Sequence, residues 1–139
     1  MIQILKNVLK VEQVFATVGS EDKRDYLEKK LNVTKAINYK LSSEENFHEI
    51  ILKLTDNKGV DVIFDCVGAS YWQKNVASLS LDGEWILYGL MGGSNVNGDI
   101  LASILRKRIH LKGTTLRARS TEVIVIFNIY SKLIFPNIF

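Results

Sequence analysis

Apolar and polar positions change period repeatedly along this chain. Short runs rich in β-branched and aromatic residues at 14–18, 36–39, 60–67, 85–90 and 109–116 predict strands. Between them, apolar residues recur at helical spacing. Phe47, Ile50, Ile51 and Leu54 fall at i, i+3, i+4 and i+7 and mark one helix face. Trp72, Val76 and Leu79 mark a second, and Ile100, Leu101, Ile104 and Leu105 a third. Ser20 is a candidate N-cap, with acids in the first turn of a polar helix that reaches Leu31. Ser42 and Glu45 have capping-box spacing ahead of the Phe47 helix. Ile2, Leu5 and Leu9 share helical spacing, so the N-terminus reads as the end of a helix. Residues 56–59 and the Asp82-Gly83 pair read as turns. The run 60–67 is nearly all apolar, which suits a strand buried on both faces.

Strands that alternate with helices imply βαβ units and a parallel sheet. Right-handed crossovers place helices on both faces of it. In such sheets ligands sit at the carboxyl ends of the strands. The residues that matter are therefore Gly19 and Ser20, then Tyr39, then Cys66, Val67 and Gly68, then Gly89 to Gly93.

Composition narrows the class. With 139 residues, 47% apolar and 24% charged, the chain suits one ordinary domain. One cysteine allows no internal disulfide and no cysteine-rich zinc site, so a reducing, cytoplasmic setting is expected. Two distant histidines, His48 and His110, leave little for a metal centre. The net charge of +3 is mild. Its densest stretch holds Arg106, Lys107, Arg108, Lys112, Arg117 and Arg119, but no aromatic lies between Tyr88 and Phe127. Nucleic-acid binding is therefore not expected. Lys6 and Lys10 interrupt the apolar start, which is no signal peptide. The apolar stretch 123–139 is broken by Asn128, Lys132, Pro136 and Asn137 and is short for a membrane span. Its composition differs from everything before Ser120.

The first strand end carries most chemistry. Where NAD-binding sheets place an acidic residue for the ribose hydroxyls, this chain has Gly19-Ser20, with Lys23 and Arg24 following. A small residue, a hydroxyl, helix N-terminal amides and a cation suit a 2′-phosphate, hence NADP over NAD. From the spacing alone, a simple capped helix is the favoured reading. Tyr39 suits stacking on an adenine or ordinary half-buried packing. Cys66 reads as a small core residue. His48 reads as a surface residue. Gly89, Gly92 and Gly93 suit close approach to a ligand or a plain turn. G-x-G-x-x-G, P-loop, H-E-x-x-H and C-x-x-C motifs do not occur, and no nucleophile–base pair is proposed.

The segments VFATVGSEDK, AINYK, GVDVIFDCVGASYWQKNVASLSLDGEWILYGLMGG and KGTTLRARS resemble the quinone oxidoreductase branch of the zinc-free medium-chain dehydrogenase/reductase superfamily. The resemblance covers residues 14–120. It implies a Rossmann-type cofactor domain from an enzyme that transfers hydride from NADPH to a quinone without a metal. Carried across, Gly19, Ser20 and Lys23 match the 2′-phosphate pocket, and Tyr39 a tyrosine near the adenosine phosphate. Cys66, Val67 and Gly68 match the loop under the adenine and ribose. Tyr88, Gly89, Leu90, Met91, Gly92 and Gly93 match the loop lining the nicotinamide side. No catalytic residue carries over.

The family's catalytic domain, first Rossmann strand and glycine-rich turn have no counterpart in these residues. The expected fold is thus an incomplete doubly wound α/β sheet. Residues 1–120 form a partial NADP-binding domain and 121–139 a divergent apolar tail. In strand order 3-2-1-4-5-6 the first strand is central. Its loss leaves two unpaired inner edges or forces strands 2 and 4 together. The chain reads as a cofactor-binding fragment, inactive alone. The alternative is a non-catalytic interaction fragment that pairs with an intact subunit or a second copy through a strand edge.

Overall fold

The computed structural model describes residues 1–41, 46–115 and 118–124. Its elements in chain order are a π-helical turn (Ile4–Val8), β1 (Phe15–Val18), α1 (Glu21–Lys30), β2 (Lys35–Asn38), α2 (Phe47–Leu54), β3 (Val60–Asp65), α3 (Trp72–Ser78), β4 (Leu79–Leu87), α4 (Ile100–Lys107) and β5 (His110–Gly113). A 3₁₀ turn at Ala69–Tyr71 leads into α3. The expected alternation is present, and every strand pair is parallel.

The strands form two ladders instead of one sheet. β1 pairs β2, with Phe15 opposite Lys35. β4 pairs β3 on one side and β5 on the other, with Trp85 opposite Ile63 and Leu111. Among the described residues no strand pairs the remaining edge of β1 or of β3. Of the two outcomes expected without a central strand, the unpaired inner edges are the one found.

Side chains hold the two ladders together. Ile37, Phe47 and Ile51 form a buried cluster, against which Phe15 of β1, Val60 of β3 and Tyr71 also pack. A second cluster (Val14, Val33, Ala36) joins the first ladder to Ile2, Leu5 and Leu27. A third (Leu79, Trp85, Ile109) lies under Trp72, Val76 and Ile104. The Trp72 and Trp85 rings stack there at 5.0 Å. Burying such aromatic surface stabilises by about 25 cal/mol per Å².

Several local expectations change. Leu9 is exposed, although Ile2 and Leu5 pack inward. The N-terminal turn bonds i to i+5, with the Leu9 amide donating to the Ile4 carbonyl, so a spacing of four leaves the buried stripe. Ser42 and Glu45 lie outside the described residues; the box at the start of α2 is built on Asn46, whose amide donates to the Glu49 carboxylate at 3.2 Å. Asp82-Gly83 is not a turn between elements. Strand β4 runs straight through it, and Asp82 takes a positive φ of 59° at a shift in register between Val60 and Val62. The dipeptide makes a bulge.

β3 stops at Asp65 and is not buried on both faces, since Asp61 and Val62 are exposed. The α4 face also departs from expectation. Ile104 packs inward, whereas Leu101 and Leu105 are exposed. β5 is exposed along its length. The end of its expected run, Leu116, lies outside the described residues, as does the tail beyond Ile124. Among the described residues no helix is long and apolar enough to cross a membrane.

Candidate functional site

Parallel strands bring the carboxyl ends of β1 to β5 to one side of their ladders, which is where the sequence-selected residues fall. At the first ladder, Tyr39 directly follows β2 and its amide donates to the Val18 carbonyl at 3.0 Å. Its ring folds over Gly19. A Cβ on Gly19 would sit 3.0 Å from the Tyr39 hydroxyl oxygen, so a side chain there would close the hollow between them. Tyr39 is 46% exposed, and its ring meets that of Tyr71 edge-on, which is the half-buried packing that the sequence also allowed.

Ser20 occupies the N-cap position of α1 in an extended conformation, but its side chain makes no capping hydrogen bond. The hydroxyl that spacing alone assigns to a cap is not used for one. Arg24 is occupied by Glu21 and by Asp25, the latter at 3.3 Å. Lys23, in contrast, lines a hollow of about 270 Å³ with Val18, Asp22, Tyr26 and Leu27. Lys40 was not singled out from sequence. Its stem lies 3.5 Å from the position a Gly19 Cβ would take, which puts a lysine beside the glycine. The signal was its place next to Tyr39, one residue past a strand end.

At the second ladder, the loop after β3 and the loop after β4 are laced together by backbone. Met91 donates to the Cys66 carbonyl at 3.0 Å and Gly92 to Val67 at 2.7 Å. Ala69 and Ser70 donate back to Gly93 and Gly92 at 2.9 and 3.2 Å. Gly68 turns at φ +83°, and a Cβ there would meet the Gly93 carbonyl at 2.8 Å, so this crossing needs glycine. The structure thus brings Cys66, Val67 and Gly68 against Gly89, Leu90, Met91, Gly92 and Gly93. Cys66 is half-buried, not core, because the strand has already ended at Asp65. Its side chain hydrogen-bonds Tyr88, and burial first, then that bond, pushes the Tyr88 phenol up to about 12.

Two further residues organise this end of the molecule and were missed. Asp65 is buried, and its carboxylate accepts from the Val67 amide at 2.6 Å, the Gly68 amide at 3.1 Å, Asn75 Nδ2 at 3.1 Å and Trp85 Nε1 at 3.2 Å. One carboxylate therefore fixes the loop, α3 and β4. A lone acid closing an apolar run was the available signal. Tyr71 joins the ladders. It shares a side-chain hydrogen bond with Thr17 of β1, meets Tyr39 edge-on at 6.3 Å and packs on Phe47 at 4.9 Å. Burial raises its phenol, and the Thr17 bond opposes that rise.

Beyond the ends of β4 and β5 lies a larger cavity of about 600 Å³, lined by Leu87, Tyr88, Leu90, Gly113, Thr114 and Arg119 among others. His48, expected at the surface, is only partly exposed. Its imidazole lies 3.8 Å from Glu49 and edge-on to Phe47, far in sequence from every strand end. Among the described residues no group of three or more His, Cys, Asp or Glu side chains is placed to hold a metal.

The chain resembles known proteins along most of its length. The profile of the family described as zinc-binding dehydrogenase matches residues 1–128. A 2-haloacrylate reductase from a Burkholderia species is 35% identical over 80 residues, covering 58% of this chain and 23% of that enzyme. The structure of an NAD-dependent alcohol dehydrogenase superposes with a TM-score of 0.71 at 25% identity, covering 96% of this chain and 36% of the other. The Escherichia coli quinone oxidoreductase complexed with NADPH superposes with a TM-score of 0.69 at 24% identity, covering 88% of this chain and 37% of the other. The chain thus spans well under half the length of each. By the span of the family match and the parallel α/β fold, it belongs to the zinc-binding dehydrogenase family of the medium-chain dehydrogenase/reductase superfamily.

Proposed function

We propose that this chain is the cofactor-binding portion of an NADPH-dependent oxidoreductase that reduces a quinone. Residues 1–120 supply the nucleotide-binding part. The supporting observation is the Gly19 hollow: no side chain, the Tyr39 hydroxyl at its wall, an uncapped Ser20 hydroxyl at a helix N-terminus and the Lys40 stem beside it, while Lys23 lines the separate hollow that it shares with Val18 and Asp22. This donor set fits a 2′-phosphate, which wants hydroxyls, amides and cations and no facing carboxylate. Glu21 is paired with Arg24 and accepts from Asn38 Nδ2.

In this reading Gly19, Ser20, Lys23 and Tyr39 hold the adenosine end. Cys66, Val67 and Gly68 underlie the adenine and ribose. Tyr88, Gly89, Leu90, Met91, Gly92 and Gly93 flank the nicotinamide. Held there, NADPH would supply a hydride that, with a proton from water, reduces a quinone to a hydroquinone. The chain's residues orient the cofactor and screen it; none of them is assigned a proton transfer. The chain alone is expected to show little turnover.

Fluorescence titration tests this reading. NADPH should bind more tightly than NADH, and Lys23→Ala should narrow the gap by about tenfold, the effect of losing one charge-assisted contact. Equal affinity for the two cofactors contradicts the 2′-phosphate assignment.

One observation favours the second reading, an interaction fragment. β5 is exposed along its length and pairs only with β4 among the described residues. Such an edge accepts another strand. Light scattering that returns a clean monomer counts against it.

A further inference from the structure

We infer that the inner edges of β1 and β3 form a slot for one β-strand of another polypeptide, an apolar segment rich in β-branched residues that runs parallel to both. The inference rests on the pairing pattern and is independent of the cofactor reading.

The backbone hydrogen bonds identify the groups left over. The Val14 carbonyl accepts from the Thr34 amide at 2.8 Å and the Val18 carbonyl from the Tyr39 amide at 3.0 Å, so both residues address β2. Backbone groups of successive residues in an extended strand point to opposite sides. Phe15 and Thr17 therefore turn their N–H and C=O groups away from β2. On β3, the Asp65 carbonyl accepts from the Tyr88 amide at 2.8 Å, which sets Asp65 toward β4. Val62 and Phe64 therefore turn away from β4. Among the described residues, no backbone partner meets Phe15, Thr17, Val62 or Phe64 on these sides.

The two rows border one shared space. Phe15 and Val60 pack on the same cluster of Ile37, Phe47 and Ile51, and Tyr71 hydrogen-bonds Thr17. The edges are near enough to share side-chain packing, yet no strand pairing joins them. Thr17 and Val62 are exposed, so water reaches the space. Two unpaired parallel rows of donors and acceptors are a template for a strand between them.

The walls set the chemistry of the occupant. Its side chains would point alternately to two faces. On one face Phe15 lies with Phe47 and Tyr71. On the other, Val14 packs with Ile2 and Leu5. Ile63 packs into the Trp85 cluster, so Val62, one residue earlier, belongs to the opposite face, where it is 45% exposed. Both faces are apolar. A strand that suits them is apolar at successive positions, the pattern of a central parallel strand. The outer edge of β5, exposed along its length, offers a single row and no such walls.

The test titrates the full chain with the capped peptide Lys-Lys-Val-Ile-Val-Ile-Val-Lys-Lys and follows amide hydrogen exchange. The Phe15, Thr17, Val62 and Phe64 amides should slow by about tenfold or more at saturation. N-methylation of the peptide at its isoleucines, or instead at its valines, blocks its donors to one edge. Each should weaken binding, because the slot uses both edges. Val62→Pro removes a donor that is unpaired in the free chain, a change an edge strand tolerates, and should weaken binding by about tenfold. The Thr114 amide donates to the Leu87 carbonyl, so Leu111 and Gly113 face outward from β5, and Leu111→Pro should leave binding unchanged. Slowing at Leu111 and Gly113 instead of the slot amides overturns the inference. So does full binding of either methylated peptide, or no slowing at all. Slow exchange of the slot amides without peptide overturns it too, since the chain itself or a second copy would then fill the slot.

Discussion

The indole of Trp85 donates to the carboxylate of Asp65 at 3.2 Å, with the two residues only 1% and 3% exposed. The bond crosses from β4 to the last residue of β3. It lies at the base of the laced loops that follow β3 and β4, which the proposed function sets beside the nicotinamide. The same carboxylate accepts from the Val67 and Gly68 amides and from Asn75. Each bond satisfies a buried donor that would otherwise cost about 1–3 kcal/mol.

Asp65→Ala should therefore destabilise the chain by about 3 kcal/mol or more, because several donors lose their partner at once. Trp85→Phe removes one donor and some volume, and should cost about 1–3 kcal/mol. Urea unfolding measures both. Hydrogen exchange should show the Val67 and Gly68 amides opening faster in Asp65→Ala. Unchanged exchange there would show that the carboxylate does not hold the loop.

Lys107 ends α3 from a distance. Its ammonium donates to the carbonyls of Val76, Ala77 and Leu79 at 2.7, 2.9 and 2.6 Å. A cation is favourable at a helix C-terminus, where carbonyls lack partners. Burial pulls this lysine below its ordinary value, yet three acceptors keep it bound. Lys107→Met keeps the stem and removes the donors. It should cost about 2 kcal/mol, and a smaller loss than a few tenths would refute the cap.

Tyr71 and Thr17 link the two ladders by side chain where no strand does. Tyr71→Phe and Thr17→Val should be non-additive in a double-mutant cycle, with a coupling of about 1 kcal/mol. Strict additivity would mean that apolar packing of Phe15, Val60 and Tyr71 alone joins the halves.

Acid should destabilise the chain. Glu28 is held below its ordinary 4.5, first by the Ala36 amide at 3.0 Å and then by Lys35. Asp25, Asp82 and Glu84 are lowered chiefly by Lys29, Arg108 and Lys112. A depressed carboxylate contributes stability that is present above its unfolded value and lost as pH falls through the folded one. Stability should thus rise from strongly acidic pH to just above 4.5 and then level off with respect to these groups. Salt should weaken the three exposed pairs and spare the amide bond to Glu28. Glu28→Gln should therefore flatten the acid limb most at high salt.

Much of the architecture was legible from periodicity. The strand and helix runs fell where the hydrophobic period changed, and the ends of β1, β2, β3 and β4 carried the selected residues. What escaped depended on partners far along the chain. Asp82-Gly83 carries an ordinary turn signature, and only pairing of Glu84 with Val62 makes it a bulge. Ser20 has the right identity for a cap, but its side chain makes no cap bond. Asp65 and Tyr71 act through residues 10 to 54 positions away, such as Asn75, Trp85 and Thr17, which no local pattern reveals. Leu101 and Leu105 obey a helical stripe that nothing in the described structure covers.

Thermal unfolding of the chain with NADPH, NADH or neither tests the central claim most directly. A ligand that binds only the folded state adds about 2.7 kcal/mol at a hundredfold excess over its dissociation constant. The account predicts one cooperative melt, raised by NADPH and raised less by NADH. A melt indifferent to both cofactors would contradict it.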